Sequence, residues 1–326
     1  MSTENLNEQN FISTCLSNAF EGQRGVNVSA NKENTELSGH EAGISIIDTA
    51  TSRTLEVFHK GSKINAAIAV HRVQPLINFL LDAVKNIPEV EPLNCKIVIN
   101  PHDNIMDGSP PDRNICTMGF SGPLPANTLF LPDPHYFEFL KNPVEDRADP
   151  LLFSEKSNQA FFRGSDTNIQ RINLSLDTLD DPFYDCKISR FIPGAFEEKY
   201  LSIDREKISS SWFNLDQQLD YRYILDPHGW TRGWDRAYWV LQSNSVLVSI
   251  IPDDGIIHHN WYSEFMYDHD IVPLITYEEA CNPSTFDSFE EYNHKQKVFS
   301  TILMSSAVSS SYLANLIVRY NHLFNS

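Results

Sequence analysis

From Gln159 to Ile251 short apolar runs alternate with amphipathic stretches, and no other feature narrows the fold as much. QAFF reads as a strand, RGSDT as a loop, NIQRINLSL as a helix and DCKISRF as a second strand. Tyr221–Leu225 then predicts a short strand, Asp226–Gly233 a loop, Trp234–Gln242 a helix, and VLVSII a strand apolar enough to be buried on both faces. Strand, loop and helix in repeated succession predict an α/β fold with a parallel sheet covered by helices. In such sheets ligands bind where strands end and loops begin.

Upstream, HRVQPLINFLLDAVKNI carries apolar residues at helical spacing and feeds CKIVIN, a β-rich run that ends in Pro101, His102 and Asp103. The stretch from Pro101 to Pro150 is rich in Pro, Asp, Asn and Gly and predicts long loops with at most short strands. Its end, NPVEDRADP, is the expected boundary between an N-terminal lobe over 1–150 and a C-terminal lobe over 151–326. A chain of 326 residues has room for both. From Tyr292 to Phe324 the period is helical.

The 43 acidic and 25 basic residues leave a formal charge of −18, which argues against nucleic acid as a partner and requires any anionic ligand to find a local arginine site. The cysteines at 15, 95, 116, 186 and 281 are widely spaced with no Cys-x-x-Cys pair, so reduced thiols are expected. MSTENLNEQN has neither the basic nor the apolar part of a secretory signal, and HLFNS is no retrieval signal. With no run of about 18 apolar residues, no transmembrane segment is expected, and the expected location is cytoplasmic.

Two segments carry most of the chemistry. In FFRGSDTNIQR a strand delivers Arg163 to its end and Gly164 permits a tight turn. Ser165 and Thr167 offer hydroxyls, and Arg171 follows about one helical turn later. Helix-start amides with two guanidinium groups would make a diphosphate cradle that needs no metal; a capped helix with surface-paired arginines is the equal alternative. In YRYILDPHGWTRGWDR the pattern recurs, with Arg232 in the loop and Arg236 in the first helical turn. Trp230 and Trp234 would suit stacking on a base or sugar ring, or an ordinary interface.

Asp103 leads as general base, with His102, Asp107 and Asp112 as alternatives of equal sequence logic. Asp268 with Asp270 forms an Asp-x-Asp pair of the kind that holds Mg²⁺ or Mn²⁺, and Asp253–Asp254 is a second acidic pair; solvated loop acids are the expected reading of both. His258, His259 and Glu264 lack the spacing of a zinc protease.

Taken together these segments, from about Asn94 to Glu279, resemble the family 90 glycosyltransferases. That group includes fungal capsule-associated proteins, animal protein O-glucosyltransferases and bacterial lipopolysaccharide-modifying enzymes. FFRGS with Thr167 and Arg171 is similar to the family's Phe-Arg-Gly-Ser block, and YRYILDPHG to its Tyr-Lys-Tyr strand and Gly-containing turn, with Arg236 near the following arginine. SVLVSI, WYSEF with IVPLITYEE, and LPDPHYF resemble further blocks. Asp166 stands where animal members often carry arginine, and Asn244 replaces a glycine.

The resemblance implies two Rossmann-like lobes facing a cleft in a GT-B-like arrangement, with the C-terminal helix packing back on the N-terminal lobe. It implies an inverting, metal-independent glycosyltransferase with Asp103 as base. Arg163, Gly164, Ser165, Thr167, Arg171, Tyr223, Gly229 and Arg236 would bind a UDP-sugar that is a substrate, with no other cofactor. The acceptor would be a glycan hydroxyl of a lipopolysaccharide or capsule precursor at the cytoplasmic membrane face. A metal-dependent Asp268/Asp270 transferase and a non-catalytic nucleotide- or carbohydrate-binding protein are the alternative readings.

Overall fold

The computed structural model describes residues 7–21, 41–48, 53–62, 64–87, 93–102, 117–123, 128–141, 149–194, 196–233 and 235–325. These group into two units. Lys141–Ile257 and Met266–Thr301 form one; the described residues up to Leu140, with His258–Phe265 and those from Ile302 onward, form the other. The chain therefore passes between units several times, where the composition shift near residue 150 pointed to a single boundary.

The unit containing the amino-terminal part is built on β1 (Ala42–Asp48), β2 (Arg53–Lys60), β3 (Asn94–Ile99), β4 (Thr117–Gly119), β5 (Gly122–Pro123) and β6 (Thr128–Phe130). Five of them form one sheet in the order β2-β1-β3-β4-β6. β1 pairs antiparallel with both β2 and β3, whereas β3, β4 and β6 run parallel. The sheet is therefore mixed, where Rossmann-like parallel pairing was expected of this half. Ile44 lies opposite Ile97, and both are fully buried.

The helix Gln74–Lys85 packs Leu76, Ile77, Leu80, Ala83 and Val84 inward, positions that share one helical face. It is entered through a π-helical turn, Ala69–Val73, in which the Gln74 N–H reaches back to Ala69 just before Pro75, a residue with no N–H to give. A further helix, Pro134–Lys141, lies within the stretch expected to be loop. The Asp133 carboxylate accepts from the His135 and Tyr136 N–H groups and starts it.

The single helical period expected from Tyr292 to Phe324 is broken into Glu290–Leu303 and Ser306–Asn325. The Ser305 hydroxyl accepts the Val308 N–H at 3.3 Å and caps the second piece. That last helix sits in the mixed-sheet unit, where the Tyr312 hydroxyl donates to the Phe130 carbonyl at 2.8 Å. Among the described residues no single helix is long and apolar enough to cross a membrane.

The other unit carries β7 (Ser157–Ser165), β8 (Tyr184–Arg190), β9 (Tyr221–Pro227), β10 (Val246–Ile250) and β12 (Leu274–Ile275) in the order β12-β10-β9-β7-β8. The two-residue β11 (His258–His259) belongs instead to the mixed-sheet unit, where it pairs with β5. All pairings in the five-stranded sheet are parallel. The chain steps from β7 to β8 on one side, then crosses back to β9 on the other. This is an α/β unit of Rossmann-like type with its topological switch point between β7 and β9, and the carboxyl ends of those strands are where such sheets bind ligands. Its core gathers Phe162, Ile172, Leu174, Cys186, Ile188, Leu225, Val246 and Val248.

Candidate functional site

Two segments meet at the switch point. β7 runs two residues past Arg163, to Ser165, so RGS is strand where a loop was expected. Alternation along it puts Phe162 and Gly164 on the core face and Phe161 and Arg163 on the other. The helix Ile169–Asp177 then begins at Asn168, whose side chain accepts the Gln170 N–H at 2.9 Å. On the neighbouring strand, β9 ends in Asp226 and Pro227, and the loop through Gly233 leads to the helix Arg236–Leu241.

Arg171 ties the two segments together. Its Nε donates to the Pro227 and His228 carbonyls, Nη2 to Pro227, and Nη1 to the Ser165 carbonyl and the Thr167 hydroxyl at 2.9 Å. Asn168 Nδ2 adds a bond to the Gly229 carbonyl at 3.3 Å. The fit demands glycine at 229: a Cβ there would lie 2.5 Å from Thr167 Oγ1 and 2.9 Å from Arg171 Nη2. Burial, then the charge of Arg236, pulls the Arg171 pKa down to about 9, with Asp226, Asp235 and Asp166 opposing; it stays charged at neutral pH.

Asp226, 1% exposed at the end of β9, is the second anchor. Its Oδ1 accepts from Arg236 Nη1 at 3.1 Å, and Arg232 Nη2 lies 3.7 Å from Oδ2. A side chain at Gly233 would press on the same carboxylate at 3.0 Å. Arg236 Nη2 also donates to the Arg163 carbonyl at 2.8 Å, which leaves three of its five N–H donors outside these two bonds. Arg232 is buried against Tyr267, donates to Ser249 Oγ at 3.1 Å, and has no protein partner for Nε or Nη1. Two arginines, Arg232 and Arg236, thus share one carboxylate, and Arg171 holds the adjoining loops through carbonyls, with Asp226, Asp235 and Asp166 favouring its charge. The Arg236 N–H groups outside those bonds are the donors an anion would meet.

The structure therefore brings together Gly164, Ser165, Thr167, Arg171, Gly229 and Arg236, and leaves two of the expected donor residues elsewhere. The Arg163 guanidinium faces away from Arg171. It pairs with Asp185 Oδ1 at 2.6 Å, donates from Nε to Ser210 Oγ at 3.1 Å, and lies against Phe161 and Phe213. Tyr223 is a core ring among Phe153, Phe183 and Phe286, halfway along β9. Asp103, Asp107, Asp112 and Trp234 lie outside the described residues. The chain just before Asp103 is anchored, since Arg72 Nη1 donates to the Pro101 carbonyl at 2.9 Å and Asn100 Oδ1 accepts the His102 N–H at 3.0 Å.

Arg232 and Arg236 were read in the sequence as arginines that could meet a phosphate and Asp226 as the end of its strand, but the pairing of Asp226 with both arginines was not foreseen. The available signal was an acid closing a strand with two arginines in the next ten residues. Asp166 is likewise structural here, accepting from the Ile192 N–H at 2.7 Å and from the Tyr200 hydroxyl.

Of the Asp-x-Asp pair, Asp268 is exposed and Asp270 is engaged otherwise. Asp270 adopts φ 50° and accepts from Lys295 Nζ and the Tyr292 hydroxyl, each at 2.8 Å. Burial alone would raise its pKa, but those two bonds and the lysine charge hold it below the ordinary carboxylate value. Among the described residues no three His, Cys, Asp or Glu side chains group as a metal centre would need. No family model matches this chain, and no curated protein matches it.

Proposed function

We propose that this chain is an inverting glycosyltransferase that moves a sugar from a UDP-sugar to a hydroxyl of a glycan acceptor. The observation that carries the reading is the convergence of Arg171, Arg232 and Arg236 at the β7–β9 switch point, the place where an open parallel sheet receives a nucleotide. The resemblance to family 90 glycosyltransferases supplies the substrate class, the two-lobed GT-B-like arrangement and the roles.

In this mechanism Arg171 holds the β7 and β9 loops in register, and Arg236, with Arg232 behind it, meets the diphosphate. Asp103 takes the proton of the acceptor hydroxyl. The oxygen forms its bond to the anomeric carbon from the face opposite UDP, and the carbon–phosphate-oxygen bond breaks as UDP leaves with its electron pair. Arginine charge facing the diphosphate stabilises the leaving group without a cation, and a single such donor is worth about 10²–10³ in rate. The engagement of Asp270 by Lys295 and Tyr292 favours this route over the Asp-x-Asp alternative.

Release of UDP from a panel of UDP-sugars by purified protein, with and without EDTA, is the test. Turnover that survives chelation supports the reading. Turnover that vanishes with EDTA and returns with Mn²⁺ would sink the metal-free mechanism, and UDP binding with no turnover on any donor would leave a binding protein.

A further inference from the structure

We infer that Trp230 is the platform on which the nucleobase of the donor stacks, so that its loop reads the nucleoside half of the ligand while Arg236 meets the diphosphate. The inference deepens the glycosyltransferase reading and rests on it. Trp230 is 53% exposed, whereas His228, Thr231 and Arg232 around it are 3%, 6% and 1% exposed. One large apolar side chain thus stands open to solvent on a loop whose other side chains are buried. Tryptophan is enriched where proteins meet ligands and partners, because its ring offers a wide, stiff face.

The backbone that carries the indole is pinned on both sides. The Gly229 N–H donates to the Thr231 carbonyl at 2.8 Å and closes the turn with Trp230 at its tip. Asn168 Nδ2 holds the Gly229 carbonyl, Arg171 holds the carbonyls of Pro227 and His228, and the Thr231 hydroxyl donates to the Arg232 carbonyl at 3.2 Å. A side chain on so fixed a backbone has little freedom left to lose when it meets a ligand.

The tip stands at the anion site. A Cβ at Gly229 would fall 3.0 Å from Arg171 Cζ, so the chain entering Trp230 runs against that guanidinium. Arg171 and Arg236 in turn lie against one ring, that of Phe162, with their Cζ atoms 5.4 and 5.1 Å from its centroid. These contacts bring Trp230 and the N–H donors of Arg236 to the same carboxyl end of β7 and β9. Trp212 is exposed too, but it belongs to the opposite face of β7, where its neighbour Phe213 packs on Arg163.

The pair of groups selects the ligand. A guanidinium with N–H groups to give suits a phosphate, and an open indole suits a flat π-face. A nucleoside diphosphate carries both, one at each end of its ribose. Inorganic pyrophosphate has nothing to set against the indole, and a hexose has only C–H groups.

Calorimetric titration of UDP, inorganic pyrophosphate and UDP-glucose into the full chain tests it, in wild type, Trp230→Ala and Trp230→Phe. Trp230→Ala should weaken UDP at least ~10-fold, within the range for loss of one base–aromatic stack, and should leave pyrophosphate affinity unchanged. Trp230→Phe should keep most of the UDP affinity. UDP should also quench wild-type tryptophan fluorescence, and Trp230→Phe should bind UDP with that quench largely gone. Unchanged UDP affinity in Trp230→Ala would overturn the stacking role and leave the anion site standing, and if UDP-glucose alone weakened, the transferred sugar rather than the base would lie on the indole. Equal losses for UDP and pyrophosphate would make Trp230 a support of the loop and would overturn the inference as well. A wild type that binds neither UDP nor pyrophosphate would overturn the nucleotide reading itself, and the inference with it.

Discussion

Replacing Asp226 by asparagine keeps the volume at the end of β9 and removes one charge. In the native protein that carboxylate faces Arg236 at 3.1 Å and Arg232 at 3.7 Å, and the Arg232 side chain is fully buried. At an effective dielectric of about 20, a pair at the longer distance is worth roughly 4 kcal/mol. Breaking a buried pair by removing one partner typically costs about 3–5 kcal/mol, because the other charge stays behind without compensation. The Ser249 hydroxyl, which accepts from Arg232 Nη2, cannot replace a charge.

Asp226→Asn should therefore destabilise the parallel-sheet unit by about 3–4 kcal/mol. Hydrogen exchange of the β9 peptide, read by mass spectrometry, reports that unit without averaging over the other. A companion Asp226→Leu/Arg232→Met double variant, which removes both charges, should recover most of the loss. A change below about 1 kcal/mol in Asp226→Asn, or a double variant worse than the single, would refute the claim that this ion cluster is held by mutual burial.

Gly229→Ala should cost about 1–3 kcal/mol, because its Cβ would meet Thr167 Oγ1 at 2.5 Å, and the cost should shrink in a Thr167→Ala background; equal urea midpoints for Gly229→Ala and wild type would contradict this. Burial raises the Cys186 thiol to about 12, so iodoacetamide at pH 8 should label it only after unfolding, and stoichiometric labelling of the native protein would be the contrary result. The Asp270 carboxyl is held below its ordinary value of 3.8, so its contribution is present above that pH and is lost as pH falls through the lowered value. Asp270→Asn should then cost up to about 1 kcal/mol at pH 7, since the Asp270 side chain is more than half exposed, and nothing once the wild-type acid is protonated; a gap that widens in acid would reverse the sign.

The strands and helices from β7 to β10 were legible because each carries its own period and ends in turn residues that interrupt it. The direction of Arg163 was not. A strand extended by RGS turns alternate side chains to opposite faces, and the length of that extension is set by pairing with β8, which the local sequence does not display. Arg171 was found for its charge and spacing, yet its partners are carbonyls of a loop 56 residues away, invisible without the sheet order. Tyr223 looked like a site residue only through the resemblance; its place halfway along β9 makes it core. The Asp133-Pro134 helix start was readable but lay within a stretch whose Pro and Gly content reads as loop. The hairpin β1–β2 lies in the segment before residue 60, for which the sequence offered no reading, whereas the return of the last helix to the mixed-sheet unit was expected through the resemblance.

Calorimetric titration of UDP into wild type, Arg236→Ala and Arg163→Ala bears most directly on the claim that the switch point is an anion site. Wild type should bind UDP. Arg236→Ala should lose about 1.5–3 kcal/mol, the range for a hydrogen bond to a charged group, while folded Arg163→Ala should keep its affinity because that guanidinium is committed to Asp185 on the other face. UDP affinity that is unchanged in Arg236→Ala and abolished in Arg163→Ala would place the diphosphate on the opposite side of β7 and contradict the account.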